Sequence, residues 1–305
     1  MTALPDGPQI ALPDMALIAG RGALPGHIAR ALQGRVVVAA LAGQPPDDLA
    51  PDLTFRLETL GSLLADLQAR GVTGICMAGA VSRPQVDPRL IDAATAPLVP
   101  RLMAALGAGD DGALRIVMAL FEAAGLRVHA AQDLCPDLLL PAGCPTRAQP
   151  GPHHATDARI GWQALAALGV ADQGQACVIR QATVIAREDA RGTDAMLEDV
   201  IAGISESDVD DPFTWVSDQI SDALDSAADW LSGPQAPRRG GILCKAPKPA
   251  QDRRADLPAI GLTTAQKAAA AGLDGIVIAE NAVFVFDRAA VIATLDAAGM
   301  FLWVR

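Results

Sequence analysis

The stretch M-A-L-I-A-G-R-G-A-L-P at residues 15–25 reads as a strand, a glycine turn and the opening of a helix. Five apolar residues, 15–19, suit a strand buried on both faces, and Gly20 and Gly22 admit the turn. Pro25 is tolerated in a first helical turn, where its missing N–H would have no intrahelical partner. In such an arrangement the N–H groups of the helix start can meet phosphate. Outward from this unit the same alternation recurs. Residues 35–40 read as the next strand, and Leu60, Leu63, Leu64 and Leu67 repeat at helical spacing up to Gly71. Residues 73–78 form a strand, and Leu114, Val117, Met118 and Phe121 form a helical face that stops at Gly125, ahead of a strand at 126–130. Strands alternating with helices predict a mostly parallel sheet with helices on its faces.

Between Leu140 and His154 the chain becomes proline-rich, and the domain boundary is expected there. The predicted organisation is an extension at 1–14, a first α/β domain at 15–140, a linker at 141–154 and a second α/β domain at 155–305. In the second half, helices are expected at 162–168, 263–271 and 288–298. Strands are expected at 176–179, 183–186, 241–245, 276–279, 283–286 and 301–304. An insert at about 205–240 stands apart. Residues 205–232 carry eight acidic side chains and no Lys or Arg, with Phe213, Val216, Ile220, Leu224, Ala227 and Leu231 at helical spacing, which predicts an acidic amphipathic helix.

Composition narrows the function classes. A chain of 305 residues with 51% hydrophobic residues can bury two cores. Its net charge of −11, 3% aromatic content and lack of Tyr argue against a nucleic-acid partner, which calls for a basic surface and stacking rings. The five cysteines are scattered without C-x-x-C spacing, so buried thiols in a reducing compartment are expected. The first residues do not resemble a secretion signal, and no apolar run reaches the ~20 residues of a spanning helix. A cytoplasmic protein is the expectation.

Against this acidic background, K-A-P-K-P-A-Q-D-R-R-A-D-L-P-A-I-G at residues 245–261 gathers Lys245, Lys248, Arg253 and Arg254 beside Asp252 and Asp256. Cations concentrated against the sign of the whole chain suggest an anion site. Carboxylates among them suggest that the anion arrives with a hard divalent metal. Thr193 or Asp194 in Gly192-Thr193-Asp194 can cap a helix. With Glu188 and Asp256, Asp194 also makes three carboxylates that would suit metal-assisted attack on a phosphate ester or anhydride, with Lys245 and Lys248 stabilising the added negative charge. The turn at Gly20-Arg21-Gly22 lacks the third glycine of the dinucleotide fingerprint, so a structural turn and a nucleotide loop both stay open. His27, His129, His153 and His154 support neither a hydrolytic triad nor a histidine metal centre.

Several motifs together carry a resemblance. They are A-L-I-A-G-R-G-A-L-P from Ala16, A-G-A-V-S-R-P from Ala78, G-D-D-G-A-L-R from Gly109, D-Q-G-Q-A from Asp172, G-T-D-A-M-L from Gly192, and the run from Lys245 to Gly261. In these the chain resembles the UDP-2,3-diacylglucosamine pyrophosphatase family of lipid A biosynthesis, in the form found in alphaproteobacteria. The resemblance implies a Rossmann-like N-terminal domain with a mostly parallel sheet and a distinct mixed α/β C-terminal domain. It also implies hydrolysis of UDP-2,3-diacylglucosamine to UMP and 2,3-diacylglucosamine 1-phosphate, with Mg2+ or Mn2+ and water attacking the α-phosphorus. Asp256 takes the place of the essential aspartate in R-x-D-L-P, with Lys245 and Lys248 as further catalytic groups and Glu188, Asp194 and Asp256 as metal ligands. Gly20, Arg21, Gly22, Ser82, Arg83, Gln175, Gly192, Thr193, Gln251 and Arg254 are the expected substrate contacts. The implied partners are a lipid-linked UDP-sugar, the cytoplasmic face of the inner membrane in transient contact, and a second copy in a homodimer. Two departures stand out, Arg21 within the usual glycine run and Arg191 at a commonly acidic position. A non-catalytic nucleotide- or lipid-binding regulator is the alternative that such drift leaves open.

Overall fold

The computed structural model describes residues 14–171, 173–203, 239–249, 251–254 and 256–305. The chain forms two compact units. The first holds the chain up to Asp137 together with Gln251–Asp256, and the second holds Leu138–Ala250 and Leu257–Arg305.

The first unit is built on a five-stranded sheet of β1 (Met15–Ala19), β2 (Val37–Leu41), β3 (Leu53–Phe55), β4 (Gly74–Ala78) and β5 (Arg127–His129). Its order is β3-β2-β1-β4-β5 and every pair is parallel, as in the first five strands of doubly wound nucleotide-binding sheets. Parallel strands are buried on both faces, which is why β1 and β4 read as unbroken apolar runs. Its helices are α1 (Ala23–Ala31), α2 (Leu60–Ala69), α3 (Val99–Gly107), α4 (Asp110–Ala123) and the short α5 (Ala131–Leu134). The four leucines of α2 pack in one cluster with Met118, Leu120 and Phe121 of α4 and with Ala16, Ala39, Ile75 and Val128 of the sheet. Burying each leucine contributes about 1.5–3 kcal/mol. Gly61 lets α2 press against the segment beyond β4, because a Cβ there would lie 2.3 Å from the carbonyl of Ala94. With three residues, β3 is too short to give a periodic signal in sequence.

The second unit carries β6 (Ala176–Arg180), β7 (Thr183–Arg187), β8 (Ile242–Lys245), β10 (Gly275–Ile278) and β12 (Phe301–Val304) in the order β12-β10-β8-β6-β7. The first three of that order are parallel, and β6 runs antiparallel to both β8 and β7, so within the expected α/β domain the sheet is mixed in direction. A separate parallel pair joins β9 (Ala259–Ile260) to β11 (Phe284–Val285). The helices are α6 (Pro152–Val170), α7 (Thr193–Ile201), α8 (Leu262–Ala270) and α9 (Arg288–Ala297). The two faces of the sheet follow the period of two along each strand. Val178, Leu243, Ile276 and Ile278 share a cluster with Met196 and Leu197 of α7, Ala265 and Ala268 of α8, and Val291 and Leu295 of α9. Cys177, Ile179, Ile242, Cys244 and Val277 face Ala158, Leu165 and Leu168 of α6 instead.

The stretch expected as a linker is bonded to this second sheet. Gly143 forms a bridge with Val304, and the Thr146 hydroxyl accepts the Leu302 N–H at 2.8 Å. The acidic insert, except residues 239 and 240, and the N-terminal extension, except residue 14, lie outside the described residues. All five cysteines are free thiols, and burial pushes Cys76 up to about 12, the value of an inert core thiol. Among the described residues no helix is long and apolar enough to cross a membrane.

Candidate active site

Lys245 is the last residue of β8 and shares a face with Leu243, the face that α7 covers. The first residue of α7 is Thr193, preceded by Gly192 with φ 90 and ψ 174, a backbone region open only to glycine. This puts a lysine at a strand end beneath a hydroxyl at a helix start. Lys245 Nζ donates to Thr193 Oγ1 at 2.6 Å, and the two residues are only 8% and 7% exposed. The Thr193 hydroxyl donates in turn to Glu188 Oε1 at 2.6 Å. Glu188 Oε2 accepts the backbone N–H of Gln175, whose carbonyl accepts the Ala246 N–H at 3.1 Å. Gly174 makes this approach possible, since a Cβ there would stand 2.4 Å from the Glu188 carbonyl oxygen. The D-Q-G-Q, G-T-D and K-A-P-K motifs therefore meet around Glu188.

Other expected residues of this unit have separate tasks. Asp194 sits in the first turn of α7, where a carboxylate suits the helix dipole, and lies 3.4 Å from Lys267 Nζ. Lys248 packs at Gly169 of α6, where a Cβ would lie 3.3 Å from its own Cβ. Arg191, the departure before Gly192, pairs with Asp189 at 2.9 Å and Asp199 at 2.6 Å. His153 and His154 come near Asp274 in a cluster with the donor types of a metal site. The His154 Nδ1, however, accepts the Gly151 N–H at 2.8 Å, which places the ring proton on Nε2, directed at Asp274 Oδ2 3.2 Å away. Nδ1 thus serves the start of α6, and Nε2 ties it to the residue before β10.

In the first unit the sheet order reverses between β1 and β4, the place where open α/β sheets bind ligands. The turns after these two strands are joined there. Arg21 N–H donates to Ala80 O at 2.9 Å and Ala80 N–H to Arg21 O at 2.8 Å. Gly20 is required by the crossing, because a Cβ would come 2.5 Å from Ala80 O. The Arg21 guanidinium donates to Ser82 Oγ at 3.2 Å, and Gly22 N–H donates to Asp47 Oδ2 at 2.7 Å. Gln44 grips Ser82 at both ends of its peptide, with Nε2 on its carbonyl at 2.8 Å and Oε1 accepting its N–H at 2.6 Å. Arg83 is directed elsewhere, to the carbonyls of Leu106 and Ala108 at the end of α3.

The returning segment docks on α4. Asp252 N–H donates to Asp111 Oδ1 at 3.2 Å, and Arg254 bridges Asp252 at 2.8 Å and Glu122 at 2.7 Å. The hydrogen bond from Arg254 holds the Asp252 carboxyl below the usual carboxylate range. Arg254, expected at the substrate, is thus a strut of the loop. The loop presents Gln251 and the exposed Asp256, joined by Gln251 Nε2 donating to Asp256 Oδ2 at 2.6 Å.

The N-terminal domain of the LpxI family matches residues 14–138, and the LpxI C-terminal domain matches residues 141–303. The chain belongs to the LpxI family. It is 34% identical over 293 residues to the UDP-2,3-diacylglucosamine pyrophosphatase LpxI of Caulobacter vibrioides, covering 94% of this chain and 96% of that protein. The passage between the two LpxI domains falls beside Asp137, where the chain leaves its first compact unit. As a stretch of sequence the LpxI C-terminal domain includes Gln251–Asp256, although these residues pack with the first unit. Gln44 and Asp47 of this LpxI chain carried no signal in sequence, because they lie in a turn after β2 and gain their roles only from where the fold brings them.

Proposed function

We propose that this chain hydrolyses the diphosphate of UDP-2,3-diacylglucosamine, releasing UMP and 2,3-diacylglucosamine 1-phosphate for lipid A synthesis. Membership of the LpxI family and the pyrophosphatase activity named for the Caulobacter relative support the substrate. The observation that carries the chemistry is the buried Lys245 ammonium, fixed at a strand end by Thr193. A cation held in place beforehand, away from bulk water, stabilises charge that develops in a transition state more than a mobile surface lysine does. As a water oxygen bonds to the α-phosphorus, the bond from that phosphorus to the bridging oxygen breaks and negative charge grows on the departing lipid phosphate. Lys245 meets that charge, and Lys248 adds a second cation.

A divalent ion, Mg2+ or Mn2+, belongs to this reading. Asp256 suits it as a ligand, being an exposed carboxylate faced by the neutral amide of Gln251. Glu188 and Asp194 suit it less, since both oxygens of Glu188 accept hydrogen bonds and Asp194 lies beside Lys267. Mg2+ commonly takes one or two carboxylates and completes its shell with water and phosphate oxygens, so one aspartate is enough. When bound, the ion would neutralise part of the diphosphate charge.

The Rossmann-like first unit would take the nucleotide at its β1 and β4 turns through Arg21 and Ser82. Val81, beside Ser82, and Met103 of α3 are apolar and exposed, at 46% and 60%. They suit acyl chains and transient contact with the cytoplasmic face of the membrane. The test is release of UMP from the UDP-lipid by purified protein with Mg2+ in 18O-water, with the label expected in UMP. Asp256→Ala should lower turnover by about 10²-fold or more without changing the melting temperature. Wild-type turnover equalled by that variant would remove the role given to Asp256, and label in the lipid phosphate would move the attack to the other phosphorus.

A further inference from the structure

We propose that Glu188 is a positioning residue for Lys245, acting through the Thr193 hydroxyl, and does not coordinate the divalent ion. The inference builds on the function proposed above and replaces the expectation, drawn from sequence, that Glu188 is a metal ligand. An ammonium is donor-only, so at 2.6 Å Thr193 Oγ1 accepts from Lys245. The single hydroxyl proton is then committed to Glu188 Oε1, also at 2.6 Å. The direction of the chain is fixed as lysine to threonine to glutamate.

A lysine only 8% exposed needs a compensating charge, and Glu188 provides one at the far end of the hydroxyl. The second carboxylate oxygen accepts the Gln175 N–H, and the Glu188 N–H donates to Ala176 O at 2.9 Å. Gly174 lies so close that even a methyl group would collide with the Glu188 backbone. Backbone and side chain of Glu188 are therefore held by the start of β6 and the two residues before it, and each carboxylate oxygen is oriented by a short hydrogen bond of its own.

Glu188→Gln keeps the shape but loses the charge, and one amide cannot accept from both Thr193 and Gln175. Its kcat is expected to fall about 10²-fold, through a misplaced Lys245, with little change in KM. The Mg2+ concentration for half-maximal rate should stay within about twofold of wild type, because no ligand is lost. Thr193→Val should fall as far as Glu188→Gln, while Thr193→Ser, which restores the hydroxyl, should stay within about fivefold of wild type. In a Lys245→Met background Glu188→Gln should cost less than about threefold more, because the two act as one unit. A tenfold rise in the Mg2+ requirement of Glu188→Gln, additive losses in the double variant, or a Thr193→Ser protein as poor as Thr193→Val would each overturn the assignment. A folded wild type that releases no UMP would count against the function instead. The coupling would then be read from calorimetric binding of 2,3-diacylglucosamine 1-phosphate in EDTA by wild type, Glu188→Gln, Lys245→Met and the double variant, non-additivity supporting the role of Glu188 and additivity removing it.

Discussion

Gly22 and Gly192 adopt nearly the same backbone shape, φ 100 and ψ 177 in the first and φ 90 and ψ 174 in the second, and each stands immediately before a helix. Each turn also meets a carboxylate. In the first unit Asp47 accepts the N–H of Gly22 itself, among exposed groups. In the second, Glu188 takes the hydroxyl of the next residue, and a buried ammonium follows. The difference is one side chain, because Ala23 follows Gly22 whereas Thr193 follows Gly192. A glycine turn alone organises backbone donors. With a hydroxyl after it, the same turn also fixes a charge.

The largest expected effects break this pair directly. Among the described residues a Cβ on either glycine would meet no neighbour within 4 Å, so the cost of alanine at either position is the backbone penalty, about 1–3 kcal/mol each. Gly22→Ala and Gly192→Ala should therefore lower the melting temperature by similar amounts. Their activities should part, because Gly192→Ala shifts Thr193 and with it Lys245, for a loss of about 10²-fold in UMP release. Equal activity in the two variants would mean that the second turn is no more than a bend in the chain.

How much of this was legible follows the range of each interaction. The parallel first sheet could be read from local apolar runs, since strands buried on both faces need no partner to declare themselves. Gly192-Thr193 could be read as a helix start. The role of Glu188 could not, because a carboxylate near a glycine turn serves a metal or a hydroxyl equally well until Gln175 and Lys245 are brought to it. Nor could the return of Gln251–Asp256 to the first unit, which depends on Asp111 and Glu122, more than 100 residues earlier in the chain. The short strands β3 and β9 gave no period to detect.

A smaller effect contrasts the charges that the two units bury. Glu58 is 2% exposed, and its carboxylate accepts the Asp87 N–H at 2.7 Å and pairs with Arg56 at 3.1 Å. Burial works to raise its pKa, but these donors outweigh it and hold the carboxyl below the ordinary glutamate value. A depressed folded pKa gives stability that is present above the unfolded pKa, about 4.3, and is lost as pH falls through the folded value. The melting temperature should therefore drop more steeply below about pH 4.3 in wild type than in Glu58→Gln. At neutral pH that variant should melt lower yet release UMP at the wild-type rate, unlike any change at Lys245.

The smallest effect sharpens the comparison at its edge. Arg191 adjoins Gly192 and carries two ion pairs, so its charge competes with the shape of the turn as the reason why the second turn works. Its hydrogen bond to Asp189 holds that carboxyl below the usual range, a contribution present at neutral pH and lost on acidification through the folded value. All three groups are solvated, however, and exposed pairs are weakened by water and salt. Glu188 also reaches Thr193 without help from Arg191. Arg191→Ala should therefore leave both melting temperature and UMP release indistinguishable from wild type at physiological salt. A loss approaching that of Gly192→Ala would show that the charge beside the turn, and not the hydroxyl after it, separates the two halves of the molecule.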